Sequence, residues 1–113
     1  MLPKPYRLTK NNDFQNVFQN GRVAGGSFLA IKAAPNTLTH CRIGFVVSKK
    51  VSNKATDRNR VKRRLREAMR GFLPQFNNHF DMVLLTKKEI KDKEFGQIKE
   101  EMGALLKRAR LIK

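Results

Sequence analysis

The run from Lys49 to Arg70, KKVSNKATDRNRVKRRLREAMR, limits what this chain can be more than any other stretch. It holds ten of the 25 lysines and arginines and only two acids, Asp57 and Glu67. Its net charge is therefore +8, half of the whole +16, in 22 of 113 residues. Such a run would be a disordered basic tail but for its apolar residues. From Asp57 onward Val61, Leu65, Ala68, Met69 and Phe72 recur at three- and four-residue intervals. On a helical wheel they form one stripe, with Asn59, Lys62, Arg63, Arg66 and Arg70 opposite. The spacing predicts a helix from about Asp57 to Phe72, with Thr56 or Asp57 as its N-cap and Gly71 and Pro74 marking its end. One face is pinned into a core; the other presents cations as a row.

A solvated charged face needs acids interleaved for pairing four residues apart. Only Glu67 is available in the helix body. Like charges at that spacing, such as Lys62/Arg66 and Arg66/Arg70, cost a few tenths of a kcal/mol each. A face that opposes its own helix calls for an anionic partner. The run's six arginines to four lysines point to phosphate, because guanidinium forks bind it bidentately.

Composition narrows the partner. One domain over 1–113 is expected, and 40% hydrophobic residues are enough for a modest core. A net charge of +16 fits a polyanion, with salt-dependent binding. No apolar run approaches the ~18 residues of a membrane span, and the start, MLPKPYRLTK, has no apolar signal region. The single cysteine, Cys41, excludes an internal disulfide and suits a reducing cytoplasm.

In chain order, residues 1–10 read as an extended, partly mobile lead-in. Asn11 or Asn12 caps a short helix with Asp13 in its first turn, and Asn20-Gly21 stops it. Phe14, Val17 and Phe18 share a face of that helix. Both rings either join the core or form a half-exposed aromatic wall able to stack on nucleotides. A short strand around Arg22 to Ala24 has room before Gly25-Gly26. Ser27 to Ala34 reads as a strand with apolar residues on both sides, so its core face stays open. After a turn over 35–39, Cys41 to Ser48 is a second strand, expected to pair antiparallel with the first. Gly44 within it leaves space for a close approach. Phe80 to Thr86 is nearly all apolar, as in a central strand buried on both faces. Asp92 caps a last helix with Phe95, Ile98, Met102, Leu105, Leu106 and Ala109 as its core stripe. The order α-β-β-α-β-α, with the extra short strand, is α+β: helices on a small mixed sheet.

Catalytic chemistry is not legible. His40-Cys41 is an isolated pair with no second metal-ligand motif. The nine acids form no D-x-D or E-x-D cluster of the kind that holds two Mg²⁺ ions. Asp81, just inside an apolar strand, reads as a structural hydrogen-bonding group. No protein-borne catalytic residue or metal cage is expected, and the sequence reads as a binder.

The stretch SKKVSNKATDRNRVKRRLREAMR, Ser48 to Arg70, closely resembles the signature of the protein subunit of bacterial ribonuclease P. Its centre is Arg58-Asn59-Arg60, then Lys62-Arg63 and Arg66; RLTKNNDFQNVFQNG (Arg7 to Gly21) and RIGFVVSKK (Arg42 to Lys50) agree as well. The resemblance implies a two-layer α/β sandwich whose basic helix lies in a left-handed β-α-β crossover. It implies a monomeric protein component of a ribonucleoprotein endonuclease that removes the 5′ leader of precursor tRNA. Catalysis belongs to the RNA subunit, with Mg²⁺ held mainly by RNA and substrate; the location implied is cytoplasmic, with no membrane partner. Carried over by position, Arg58, Asn59, Arg60, Lys62, Arg63, Arg66 and Arg70 contact RNA, and Lys49 and Lys50 touch phosphates at the strand end. Phe14 and Phe18 line a leader cleft with one face of the sheet, to which Leu29 and Ile31 are assigned. A leader of variable sequence is expected to be held by backbone charge and apolar walls rather than by base edges.

Overall fold

In a computed structural model, residues 4–38, 40–76 and 79–112 are described. The elements are α1 (Asn11–Asn20), β1 (Arg22–Gly25), β2 (Leu29–Pro35), β3 (Arg42–Val46), α2 (Ala55–Arg70), β4 (Phe80–Thr86) and α3 (Phe95–Arg108). Short 3-10 turns lie at Lys4–Tyr6, Leu73–Gln75 and Lys88–Asp92. The architecture is the expected α+β one, and the short extra strand is β1.

The sheet order is β1-β2-β4-β3. β4 pairs antiparallel with β2 and parallel with β3. The expected antiparallel pairing of β2 with β3 is therefore wrong: β4 lies between them. The reason is in β4 itself. Met82, Val83 and Leu84 are all fully buried, so both faces of this strand need cover and it takes a central place. β3, joined to β4 through α2, is left at the edge in a β-α-β crossover.

Alternation along the strands divides the core. Leu29, Ile31 and Ala33 of β2, Ile43 of β3, and Phe80, Met82 and Leu84 of β4 face a layer built from α2 and α3. That layer contributes Val61, Leu65, Ala68 and Met69 from α2 and Ile98, Met102, Leu105 and Leu106 from α3. On the other face α1 lays Val17 against Ala34, Val83 and Leu8, with Phe14, Val46 and Leu85 partly covered.

Several local expectations shift. Residues 4–8 are not a mobile lead-in. Arg7 bridges Ile43, the Leu8 N–H donates to the Ile43 carbonyl at 2.9 Å, and Leu8 is buried, so this segment occupies part of the open edge of β3. The helices begin at other residues than the side-chain caps suggested: the N-caps are Lys10, Lys54 and Glu94. Asp92 falls in the preceding 3-10 turn, while Gln97 accepts from the Glu94 N–H at 2.9 Å. Phe95, as the first residue of α3, is exposed rather than part of its core stripe.

Two carboxylates fasten the layers. Glu101 of α3 accepts the backbone N–H groups of Ser27, Phe28 and Leu29 at 2.9, 2.9 and 2.8 Å. Gly26 permits this approach, since a Cβ there would lie 2.7 Å from the Glu101 carboxyl carbon. Asp81, 2% exposed, is the structural group that its place in an apolar strand suggested. Arg42 Nε and Nη2 donate to its two oxygens at 2.9 and 2.7 Å, and Asn36 Nδ2 donates at 2.8 Å. The third arm of the fork, Arg42 Nη1, donates to Asp13 Oδ2 at 3.0 Å, tying the first turn of α1 to the sheet. The Asp81 hydrogen bond pushes the guanidinium still further above its ordinary range. Removing one member of such a pair strands the other in a low-dielectric site. Asp81→Ala is expected to lower the unfolding free energy by about 3 kcal/mol, read from urea denaturation; a loss under about 1 kcal/mol would show that the clamp is not structural.

Candidate nucleic-acid interface

Asp57 is the acidic residue in the first turn of α2. Its carboxylate accepts from Ser52 Oγ at 2.9 Å, pairs with Arg60 at 3.0 Å and lies 3.7 Å from Lys91. The hydroxyl hydrogen bond first, and then the nearby cations, hold it below the usual carboxylate range. Arg58 Nη1 donates to the Ser52 carbonyl at 2.9 Å, so the loop before the helix is tied from both sides.

The predicted RNA-contacting residues separate into groups. Arg58 and Arg60 are engaged by the loop and by Asp57, and Arg70 lies 4.0 Å from Glu67 on an exposed surface. Asn59, Arg63 and Arg66 surround a shallow hollow on the outer face with Glu67. Lys62 and Arg66 also turn toward the β3 edge, where they line a cleft of about 160 Å³ with Leu8, Phe14, Gly44 and Phe45. Among the described residues, no carboxylate pairs with Lys62, Arg63 or Arg66. Lys49 and Lys50 are exposed in the turn between β3 and α2.

The two rings differ: Phe18 is exposed, whereas Phe14 packs against the smaller core cluster. Phe18 is 40% exposed, Phe14 is half-buried, and their ring centroids lie 6.5 Å apart; Val17, between them, is the core residue. Leu29 and Ile31 do not join them. Both are fully buried on the α2/α3 face, so their assignment to the cleft is corrected. The period of two puts Ala30 and Lys32 on the α1 side instead, beside Val46 and Leu85. Lys32 Nζ donates to the Phe18 carbonyl at 3.1 Å and sits 5.7 Å from the centre of the Phe18 ring. The missed signal was Lys32 itself: a lysine within an apolar strand belongs to the incompletely covered face. Arg64 also went unassigned; it donates to the Lys93 carbonyl at 3.4 Å and links α2 to the segment before α3.

Gly44 supplies the space foreseen for it, and Phe14 fills that space. A Cβ at position 44 would lie 2.5 Å from Phe14 Cζ. The His40-Cys41 pair has packing roles. His40 meets Tyr6 edge-on at 5.8 Å, and burial pushes the Cys41 thiol up to about 11. Among the described residues, no three His, Cys, Asp or Glu side chains are grouped so as to hold a metal ion, and no helix is long and apolar enough to cross a membrane.

Fold and site define a class: a small basic α+β domain with a fixed cation row beside an aromatic-walled cleft. The family model described as Ribonuclease P matches residues 2–110. A ribonuclease P protein component from Cyanothece sp. is 34% identical, the match covering 99% of this chain and 98% of the relative. One from Chloroflexus aurantiacus is 38% identical, over 98% and 82%. Among solved structures, the RNase P protein of Staphylococcus aureus superposes with a TM-score of 0.87 at 28% identity, covering 96% of this chain and 98% of that one. That of Thermotoga maritima does so with 0.82 at 30% identity, covering 90% and 96%. The chain belongs to the ribonuclease P family, that of the enzyme's protein component, and hence to tRNA processing. Membership implies an RNA partner in a holoenzyme.

The seat of Phe14 is testable. Gly44→Ala should displace the ring and cost about 1–3 kcal/mol in chemical denaturation. Combining it with Phe14→Ala should restore part of that loss, because the two changes share one contact. Simple additivity would place the ring elsewhere.

Proposed function

We propose that this chain binds the catalytic RNA of ribonuclease P through α2 and holds the 5′ leader of precursor tRNA in the cleft beside α1. The RNA carries out the cleavage. The observation that carries this reading is the placement of Lys62 and Arg66, unmatched by carboxylates, at one cleft with Phe14. Phosphates meet the cations, and unstacked bases meet the rings. Arg63 and Asn59 face outward from the same helix toward folded RNA, with Lys49 and Lys50 extending the charged surface at the end of β3. Ala30, Lys32, Val46 and Leu85 lie on the same α1 face of the sheet.

The row acts without sequence preference, and its ordering cost is met largely on folding, because the buried stripe of α2 fixes it. Mg²⁺ supplies the metal chemistry of leader removal when bound by RNA and substrate; the described side chains offer it no three-ligand cage. The protein favours the metal sites indirectly, by drawing RNA and substrate together. It works in the cytoplasm, as one copy per RNA.

Adding the protein to a bacterial ribonuclease P RNA at low Mg²⁺ should restore 5′ processing of precursor tRNA. RNA binding without any gain in processing would leave a purely architectural RNA-binding protein. With roughly six phosphates neutralised, log affinity should fall with log salt at a slope on the order of −4 to −5, and Arg63→Ala should reduce that slope by about 1. Phe18→Ala should weaken binding of leader-bearing substrate while mature tRNA binding holds. Its melting temperature should barely move, since the ring is 40% exposed. Unchanged leader discrimination would remove Phe18 from the site.

A further inference from the structure

The cations at the entrance to α2 are arranged around the carboxylate of Asp57. It is the only acid between Lys49 and Arg66. Its side chain is 17% exposed, against 60% for Arg60 and 50% for Lys91. An acid that only tempered repulsion would sit on the open surface with the cations; this one is largely covered. Its two oxygens are divided between partners. Oδ2 accepts from Ser52 Oγ at 2.9 Å and lies 3.7 Å from Lys91 Nζ, while Oδ1 accepts from Arg60 Nη2 at 3.0 Å. Ser52 is in turn a junction of the loop before the helix. Its Oγ accepts the Lys54 N–H at 3.2 Å, and its carbonyl accepts from Arg58 Nη1 at 2.9 Å. The same loop is rooted by Val51, which is buried and donates its N–H to the Ser48 carbonyl at 3.1 Å. Three segments thus meet at one carboxylate: the loop with Lys49, Lys50 and Lys54, the helix with Arg58 and Arg60, and the 3-10 turn with Lys91.

We infer that Asp57 is a positioning residue for RNA binding: acting through Ser52, Arg60 and Lys91, it fixes the spacing of the cations on these three segments, so that an acid on the basic face raises RNA affinity. The inference rests on the reading that this surface binds RNA. A cation on a loose loop loses freedom with each phosphate it meets, whereas one already held in place loses little. Bulk charge argues the other way. Removing Asp57 raises the net charge by one, which by counterion release alone should tighten binding. The two accounts differ in sign, and that makes them separable.

The test titrates the full chain into a bacterial ribonuclease P RNA across a salt series. Asp57→Ala, Asp57→Asn, Ser52→Ala and the double variant Ser52→Ala, Asp57→Ala are compared with wild type, each corrected for its folded fraction from a thermal melt. Asp57→Ala should weaken RNA binding by about five-fold, the size of one well-made hydrogen bond. Ser52→Ala leaves the net charge unchanged and should weaken binding in the same direction. The double variant should lose little beyond Asp57→Ala alone, because both changes remove one contact. Asp57→Asn keeps an acceptor for Ser52 Oγ and should fall between wild type and Asp57→Ala; it carries the test should the alanine variant not fold. Tighter binding by Asp57→Asn, or unchanged binding by folded Asp57→Ala, overturns the inference. So does a lowered melting temperature with the affinity of the folded protein intact, which is the mark of a merely structural role. Arg63→Ala separates the two readings. If it weakens binding and Asp57→Ala does not, only the role of Asp57 falls; if neither weakens it, RNA binding by this surface falls as well.

Discussion

Burial of the apolar stripe of α2 is the interaction on which the molecule depends. Val61, Leu65, Ala68 and Met69 are each 5% exposed or less. Burying such side chains contributes about 1.5–3 kcal/mol each for the larger ones. Repulsion between neighbouring cations on the outer face costs a few tenths per pair. Packing therefore wins by a wide margin, and a segment whose charge alone would favour disorder becomes a fixed helical array. The same burial lays the array on one face of the sheet beside β3, in the connection that joins the two parallel strands β3 and β4. The cation row and the sheet edge thus meet at one cleft.

The cleft has a second support. Arg42 reaches from β3 to Asp81 on β4 and to Asp13 on α1, so one guanidinium holds three elements in register. Phe14, in the next position to Asp13, fits the space over Gly44. The residue pair at the start of α1 is thereby seated by charge on one side and shape on the other. Phe18, a turn further on, extends beyond this seat to an open part of the sheet floored by small and aliphatic side chains and Lys32. The wall is firm at one end and exposed at the other. That suits a ligand with a variable, flexible chain.

The two halves of the surface are chemically different. α2 offers formal positive charge with little compensation, while α1 offers amides and rings. Asp57 shows how the basic half is kept orderly. It engages Ser52, Arg60 and Lys91, steadying the entry to α2 without neutralising Lys62, Arg63 or Arg66.

The sequence by itself determined the basic helix and its buried side, the central character of β4 and the core stripe of α3 from Ile98 onward. Each follows from periodicity, which is local. It also determined the family, because the run around Arg58 to Arg66 is long and specific. Only the tertiary structure decided which face of β2 meets α1, since Leu29/Ile31 and Ala30/Lys32 both read as plausible inner faces. Parity in a strand is settled by what packs on each side. It also decided that β4 separates β2 from β3, that residues 4–8 lie along the edge of β3, and that Asp13, Arg42 and Asp81 meet. Those outcomes depend on pairing between segments far apart in the chain, where the gain from burial and from satisfying edge hydrogen bonds is shared among elements that no local pattern connects.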